Sequence, residues 1–166
     1  MKSLLVSVLA LILLIPLART VFAAPAVRDT SANTTRLPFK GSVQSSETYS
    51  TVSSTRYVTA NGAGESSQLG PFTVSYHVEQ NLLDFSETES VHLAGINGDS
   101  LQAQGIGQAI EDRTPEMYNV VVIYTITSGT GRFAGARGTF TLKRLMSTKA
   151  GLASGTFEGY ILMPPR

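Results

Sequence analysis

Glu87 and Glu89 stand two residues apart in the run Ser86-Glu87-Thr88-Glu89-Ser90. On a strand that spacing puts both carboxyls on one face, an arrangement that suits acid-base chemistry. If the pair faces inward beside Phe85, Val91 and Leu93, like charge raises one of the two pKa values and marks a catalytic pocket. If it faces outward, the two are solvated charges, and this is the expectation, because ionised side chains are seldom buried. His77 and Glu79 share the same spacing and would offer two metal ligands. They alternate with Phe72, Val74, Tyr76 and Val78, however, so they are expected to meet solvent, and with one other His in the chain no metal site is expected. Arg132, Arg137, Lys143 and Arg144 lie close in sequence, but alternation divides them between faces, and the expectation is a solvated rim. The chain has no Cys, which excludes a thiol nucleophile and zinc-thiolate ligation, and no G-x-S-x-G elbow. These residue types by themselves assign no catalytic residue.

Gly129-Thr130-Gly131-Arg132-Phe133-Ala134 spells G-x-G-x-x-A directly after an apolar strand-like run. A dinucleotide turn needs a helix opening at the glycines and an acid about 20 residues later for the ribose. Instead Gly135-Ala136-Arg137-Gly138-Thr139-Phe140 brings two more glycines and strand-like alternation, and no acid lies near Lys149. The segment therefore reads as a bend between two strands.

The elements that must position these groups are short runs rich in Val, Thr, Tyr, Phe and Ser, each closed by Gly, Asn or Pro, with no apolar repeat at helical spacing. The strands predicted are 39–49, 55–60, 72–81, 86–94, 100–110, 119–127, 137–145 and 154–163. Asn97-Gly98 and Ala150-Gly151 suit tight hairpins, so consecutive strands pair antiparallel. The fold class expected is all-β, an eight-stranded antiparallel up-and-down β-barrel, because closure leaves no exposed edge. Gly105, Gly107, Gly135, Gly138, Gly155 and Gly159 fall where a small barrel must bend sharply. Val120, Val122, Tyr124 and Ile126 alternate with Val121, Ile123, Thr125 and Thr127. The strand is thus apolar on both faces at its start, and the outer face of 120–127 is a candidate homo-oligomer contact.

Lys2, the apolar run from Leu4 to Ile15 and the small-residue end at Val21-Phe22-Ala23 read as a signal peptide over 1–23. The apolar run is interrupted by Pro16 and is shorter than the ~20 residues a spanning helix needs, so no stable membrane insertion is expected after cleavage. Residues 24–37 read as a flexible leader and 38–166 as the barrel domain. The expected location is outside the cytoplasm, periplasmic or extracellular. Asn33-Thr34-Thr35 is a glycosylation sequon wherever the secretory route uses one. Of the 13 basic residues Lys2 and Arg19 leave with the signal, so 11 face 12 acids and the net charge is −1. A near-neutral chain without a basic stripe is not suited to nucleic acid. No cofactor is implied.

The run from Gly129 to Phe140, together with Ser154-Gly155-Thr156-Phe157-Glu158-Gly159-Tyr160-Ile161, resembles the signature of the allene oxide cyclase barrel-like family of secreted bacterial proteins. Its first half is also similar to the G-T-G-x-F-x-x-A-R-G stretch of plant dirigent proteins. Leu69-Gly70-Pro71-Phe72-Thr73 and Asn97-Gly98-Asp99-Ser100-Leu101 match the same bacterial group, and the resemblance runs from about Phe39 to Ile161. It implies a calycin-like eight-stranded barrel. It further implies either a cyclase that rearranges a fatty-acid epoxide within the barrel, or a dirigent protein that holds phenoxy radicals and steers their coupling. The plant cyclases' N-E-R-D-R-G-S-P motif has no counterpart in Ser42–Tyr49. Glu47 is the one acid there and so the one catalytic candidate.

The function expected is a secreted barrel that binds a small apolar ligand at its mouth without catalysis, with Tyr49, Tyr76, Tyr118 and Tyr124 near the lumen. The alternatives are an isomerase or cyclase acting on an oxidised lipid through Glu47, or a dirigent-like or surface-interaction module.

Overall fold

The computed structural model describes residues 34–165; the signal peptide, Asn33 and most of the leader lie outside the described residues. Eight strands follow in chain order: β1 (Thr35–Val52), β2 (Thr55–Ser66), β3 (Gly70–Asn81), β4 (Ser86–Gly95), β5 (Ser100–Glu111), β6 (Met117–Thr130), β7 (Arg137–Ser147) and β8 (Leu152–Met163). Each pairs antiparallel with the next, and β1 pairs with β8, so the sheet closes into the expected up-and-down barrel. Closure begins earlier in the chain than alternation suggested. Thr35, Arg36 and Leu37 lie opposite Met163, Leu162 and Ile161, so these leader residues belong to the first strand.

β2 also continues past Ala60, the end expected from sequence, through Asn61-Gly62-Ala63-Gly64 to Ser66. That stretch looks like turn material, yet Gly62 and Gly64 hold the inward-facing phase of the strand. A Cβ on either would run into a carbonyl oxygen of β1, Gln44 for the first and Ser42 for the second. Glycine here permits curvature that any larger residue would block.

The barrel has two unlike ends. One is formed by the hairpins that join β1 to β2, β3 to β4, β5 to β6 and β7 to β8, and it is called the hairpin end below. The opposite end is plugged: Phe39, Phe140 and Phe157 pack with ring centroids 4.9 to 5.5 Å apart, and Phe72 joins Phe157 at 6.1 Å. Leu69, Leu101, Phe133, Ala136 and Ile161 are buried around them. Alternation places these side chains, since each strand contributes every second residue to the interior.

The G-x-G-x-x-A segment is the bend the sequence implied. It forms a three-residue 3-10 turn, Gly131–Phe133, between β6 and β7. Gly131 has φ +58°, and a side chain there would occupy the space of the Asp99 carboxylate. That carboxylate accepts from the Arg132 backbone N–H at 2.9 Å, from Arg132 Nε at 2.5 Å and from Asn97 Nδ2 at 2.7 Å. Arg132 holds the Asp99 carboxyl below the usual carboxylate range. The motif therefore latches the bend to the β4–β5 hairpin.

Candidate functional site in the barrel lumen

Toward the hairpin end the interior turns polar. Glu87 and Glu89 on β4 point inward and are buried, with 4% and 2% of their surface exposed. This corrects the outward placement expected for the pair: Val91 and Leu93 share their face and are core, and the period of two carries the carboxyls in with them. Arg144 on β7 likewise leaves the expected solvated rim. It sits inside between the buried Leu142 and Met146, and its guanidinium supplies the charge that makes two buried carboxyls tolerable. Arg132, Arg137 and Lys143 are exposed, as are His77 and Glu79.

Glu89 accepts from Arg144 Nη2 at 2.6 Å, from Arg144 Nη1 at 3.4 Å and from the Tyr124 hydroxyl. Tyr124 belongs to β6, two strands away from β4. Gly105 on the intervening β5 stands opposite both Glu89 and Tyr124, and with no side chain it leaves the path for the ring. Glu87 Oε1 accepts from Gln80 Nε2 at 2.7 Å, and Gln80 Oε1 accepts from Arg56 Nη1 at 3.1 Å. A chain of hydrogen bonds thus runs from Arg56, half-buried at the hairpin end, down to Glu87.

Two atoms of this cluster are buried without a hydrogen-bond partner, Glu87 Oε2 and Arg144 Nε. Glu87 Oε2 lies 3.5 Å from Arg144 Nη2. Burial pushes the Glu87 carboxyl up to about 8; Arg144 opposes the rise, while the neighbouring carboxyls of Glu89 and Glu47 add to it. At neutral pH Glu87 is therefore mainly a carboxylic acid. Gln80 donates to Oε1, and a side-chain hydrogen bond with the Glu89 carboxyl helps to keep the proton on Glu87.

Of the sequence-proposed residues, Tyr76 and Tyr124 contact this cluster, Glu47 acts on it through its charge, and Tyr118 stands apart. Glu47 is inside the barrel, and its Oε2 accepts from the Tyr49 hydroxyl at 2.5 Å. Tyr76 and Tyr124 are buried in the interior, and Tyr118 is half-buried near the rim against Phe85, with ring centroids 6.1 Å apart. Arg144 lies over the Tyr76 ring at 5.6 Å. Burial raises the pKa of Tyr49, Tyr76 and Tyr124 far above the ordinary value, so all three are neutral hydroxyls. Sequence reasoning missed Arg56, Gln80 and Arg144. The signal was there for Gln80, which continues the inward series Phe72, Val74, Tyr76 and Val78. A cleft of about 1050 Å³ lies on the outer wall over Lys40, Ser42, Glu65, Thr141 and Thr156, outside this interior cluster.

No protein-family model matches the chain, and a search of curated proteins found no match. Among solved structures, the pterocarpan synthase dirigent protein GePTS1 is similar to it: TM-score 0.55 and 15% identity, over 84% of this chain and 94% of that one. At that identity the likeness concerns the fold, and the barrel is dirigent-like.

Proposed function

We propose that this is an exported barrel protein that binds a small, largely apolar molecule carrying an oxygen function, its apolar body among the lumen's aromatic and aliphatic side chains and its oxygen at the polar cluster. One observation carries this reading: two buried polar atoms of the lumen cluster, Glu87 Oε2 and Arg144 Nε, have no hydrogen-bond partner among the described residues. An unmade hydrogen bond at a buried group costs about 1–3 kcal/mol, so a ligand oxygen that bonds either group recovers part of that cost. The dirigent-like architecture supports it, since small barrels hold ligands inside. The neutral tyrosines at 49, 76 and 124 suit an uncharged ligand better than an anion. The finer alternatives, a cyclase of the allene oxide type or a steering protein of the dirigent type, both fall within this reading, and the inward position of Glu47 keeps the first of them in play.

Thermal-shift and native mass measurements with paired probes test it, each apolar hydrocarbon beside its phenol or oxidised counterpart. Saturable stabilisation of about 2.7 kcal/mol is expected at a hundred times Kd for the oxygenated partner. Glu87→Leu is expected to erase the preference for oxygen. A broad panel without stabilisation would mean that the interior is simply filled.

A second reading has an observation of its own. Ile106, Ile123 and Val121 are exposed on the outer face, with Ile106 directly opposite Ile123 across β5 and β6. This aliphatic patch suits self-association, and sedimentation velocity giving a monomer at all concentrations counts against it.

A further inference from the structure

The cleft of about 1050 Å³ on the outer wall crosses β7, β8, β1 and β2, which are neighbours in that order where the barrel closes. Strand register lays its outward side chains in rows. One row runs Lys143, Thr156, Ser42, Glu65, and the next runs Thr141, Glu158, Lys40. The first row has short side chains in the middle and long ones of opposite charge at its two ends, about 14 Å apart at a strand spacing of ~4.8 Å. All four charged residues are exposed. Lys40 lies directly opposite Glu158 across β1 and β8, yet among the described residues none of Lys40, Glu65, Lys143 and Glu158 enters an ion pair within the chain.

A line drawn along the strands between β8 and β1 divides both rows into halves of opposite sign. Lys143 on β7 is answered by Glu65 on β2, and Glu158 on β8 is answered by Lys40 on β1. A second copy turned about that line as a two-fold axis meets the first with strands aligned, the usual geometry of stacked sheets. Its β1 then covers β8 and its β2 covers β7. A third row extends the match: Leu145, Ser154, Gln44 and Ala63 follow one another across the same strands, so the exposed Leu145 comes over the second copy's Ala63. Like charges meet nowhere in the three rows, and such complementarity selects a partner and fixes its register. We propose that this face recognises a second copy of the chain, two barrels pairing about a two-fold axis between β8 and β1 with Lys143 against Glu65 and Lys40 against Glu158, each contact made twice. The pairing does not depend on what the lumen holds. It is centred on β8 and β1, whereas the aliphatic patch of Ile106 and Ile123 lies on β5 and β6. Exposed ion pairs are weak singly and screened by salt, so the dimer is reversible and favoured at low ionic strength.

Sedimentation velocity of the full chain at about 0.05 M and about 0.5 M salt tests this, and the wild type should dimerise with at least about tenfold weaker association in the higher salt. Lys143→Glu and Glu65→Lys each bring like charges together twice in the dimer, and each should weaken it at least about tenfold. Both positions are exposed, so circular dichroism and the thermal midpoint should match the wild type. Mixing the two variants is decisive. One carries carboxylates at both positions and the other carries ammonium groups at both, so a mixed pair regains both contacts. The mixture should dimerise where neither variant does alone. A wild type that is monomeric at every concentration overturns the proposal. So does a dimer that both charge variants keep and only Ile123→Glu loses, since that association belongs to the aliphatic patch. A mixture no more associated than its separate components also overturns it, because Lys143 and Glu65 then do not face each other.

Discussion

Burying Glu89, Glu87 and Arg144 in one small barrel takes several charged groups out of water, and the arrangement is tolerable only because each is answered at close range. Arg144 is almost wholly buried, which works against its charge, and Glu89 is the main group that holds that charge in place. The dependence is therefore lopsided. Glu89→Ala strands a guanidinium in the interior and is expected to cost about 3–5 kcal/mol, the usual penalty for halving a buried ion pair. Tyr124→Phe removes one donor from a carboxylate that keeps Arg144, and should cost about 1.5–3 kcal/mol. Urea unfolding at neutral pH ranks the two directly. Equal losses would mean that Arg144 is not truly sequestered. Replacing Glu87, Glu89 and Arg144 together by apolar residues of similar size should recover much of the stability, which would show that the cluster is kept for a purpose other than holding the fold.

At the level of the strand, the contact between Tyr124 and Glu89 depends on what β5 omits. A Cβ at Gly105 would stand 2.7 Å from Tyr124 Cε1 and 2.7 Å from Val122 Cγ1. Gly105→Ala should therefore push the ring aside, cost about 1–3 kcal/mol as overpacking, and weaken Tyr124's hold on Glu89. If the backbone is only locally strained, Tyr124→Phe in the Gly105→Ala background should cost less than it does alone, a double-mutant cycle that reads the coupling. This explains how far the sequence was legible. Period-two alternation laid out all eight strands and the inward series on β3 and β6, because one face of each is continuously apolar. The same alternation on β4 already put Glu87 and Glu89 beside Val91 and Leu93, and only the general cost of burying charge argued otherwise. On β7 the phase was ambiguous, since Leu142 and Met146 lie on one face and Leu145 on the other. The partner that makes the burial affordable, Arg144, stands 55 residues from Glu89, and a contact made across the closed barrel leaves no local mark.

Across the whole molecule the cluster sets the pH at which the fold is strongest. The Glu87 carboxyl titrates near 8 when folded against about 4.5 for the free side chain, so between those values the folded state holds a proton that the unfolded chain has released. A group raised in this way contributes fully below about 4.5, and its contribution is lost as pH climbs through about 8. Each pH unit inside the window lowers the unfolding free energy by up to about 1.4 kcal/mol. The aspartates act oppositely and lower down: Asp84, Asp99 and Asp112 are held below their ordinary values by local hydrogen bonds, so what they contribute fades as pH falls below about 4. The tyrosines, shifted upward, weaken the fold only in strong alkali. Maximum stability is accordingly expected near pH 5 and not at neutrality. Urea midpoints taken at pH 5, 6, 7 and 8.5 should decline steadily for the wild type and stay nearly level for Glu87→Gln, which cannot ionise. A flat wild-type profile would place the Glu87 carboxyl at its ordinary value and remove the acid from the lumen. A decline shared equally by the variant would trace the effect to some other group.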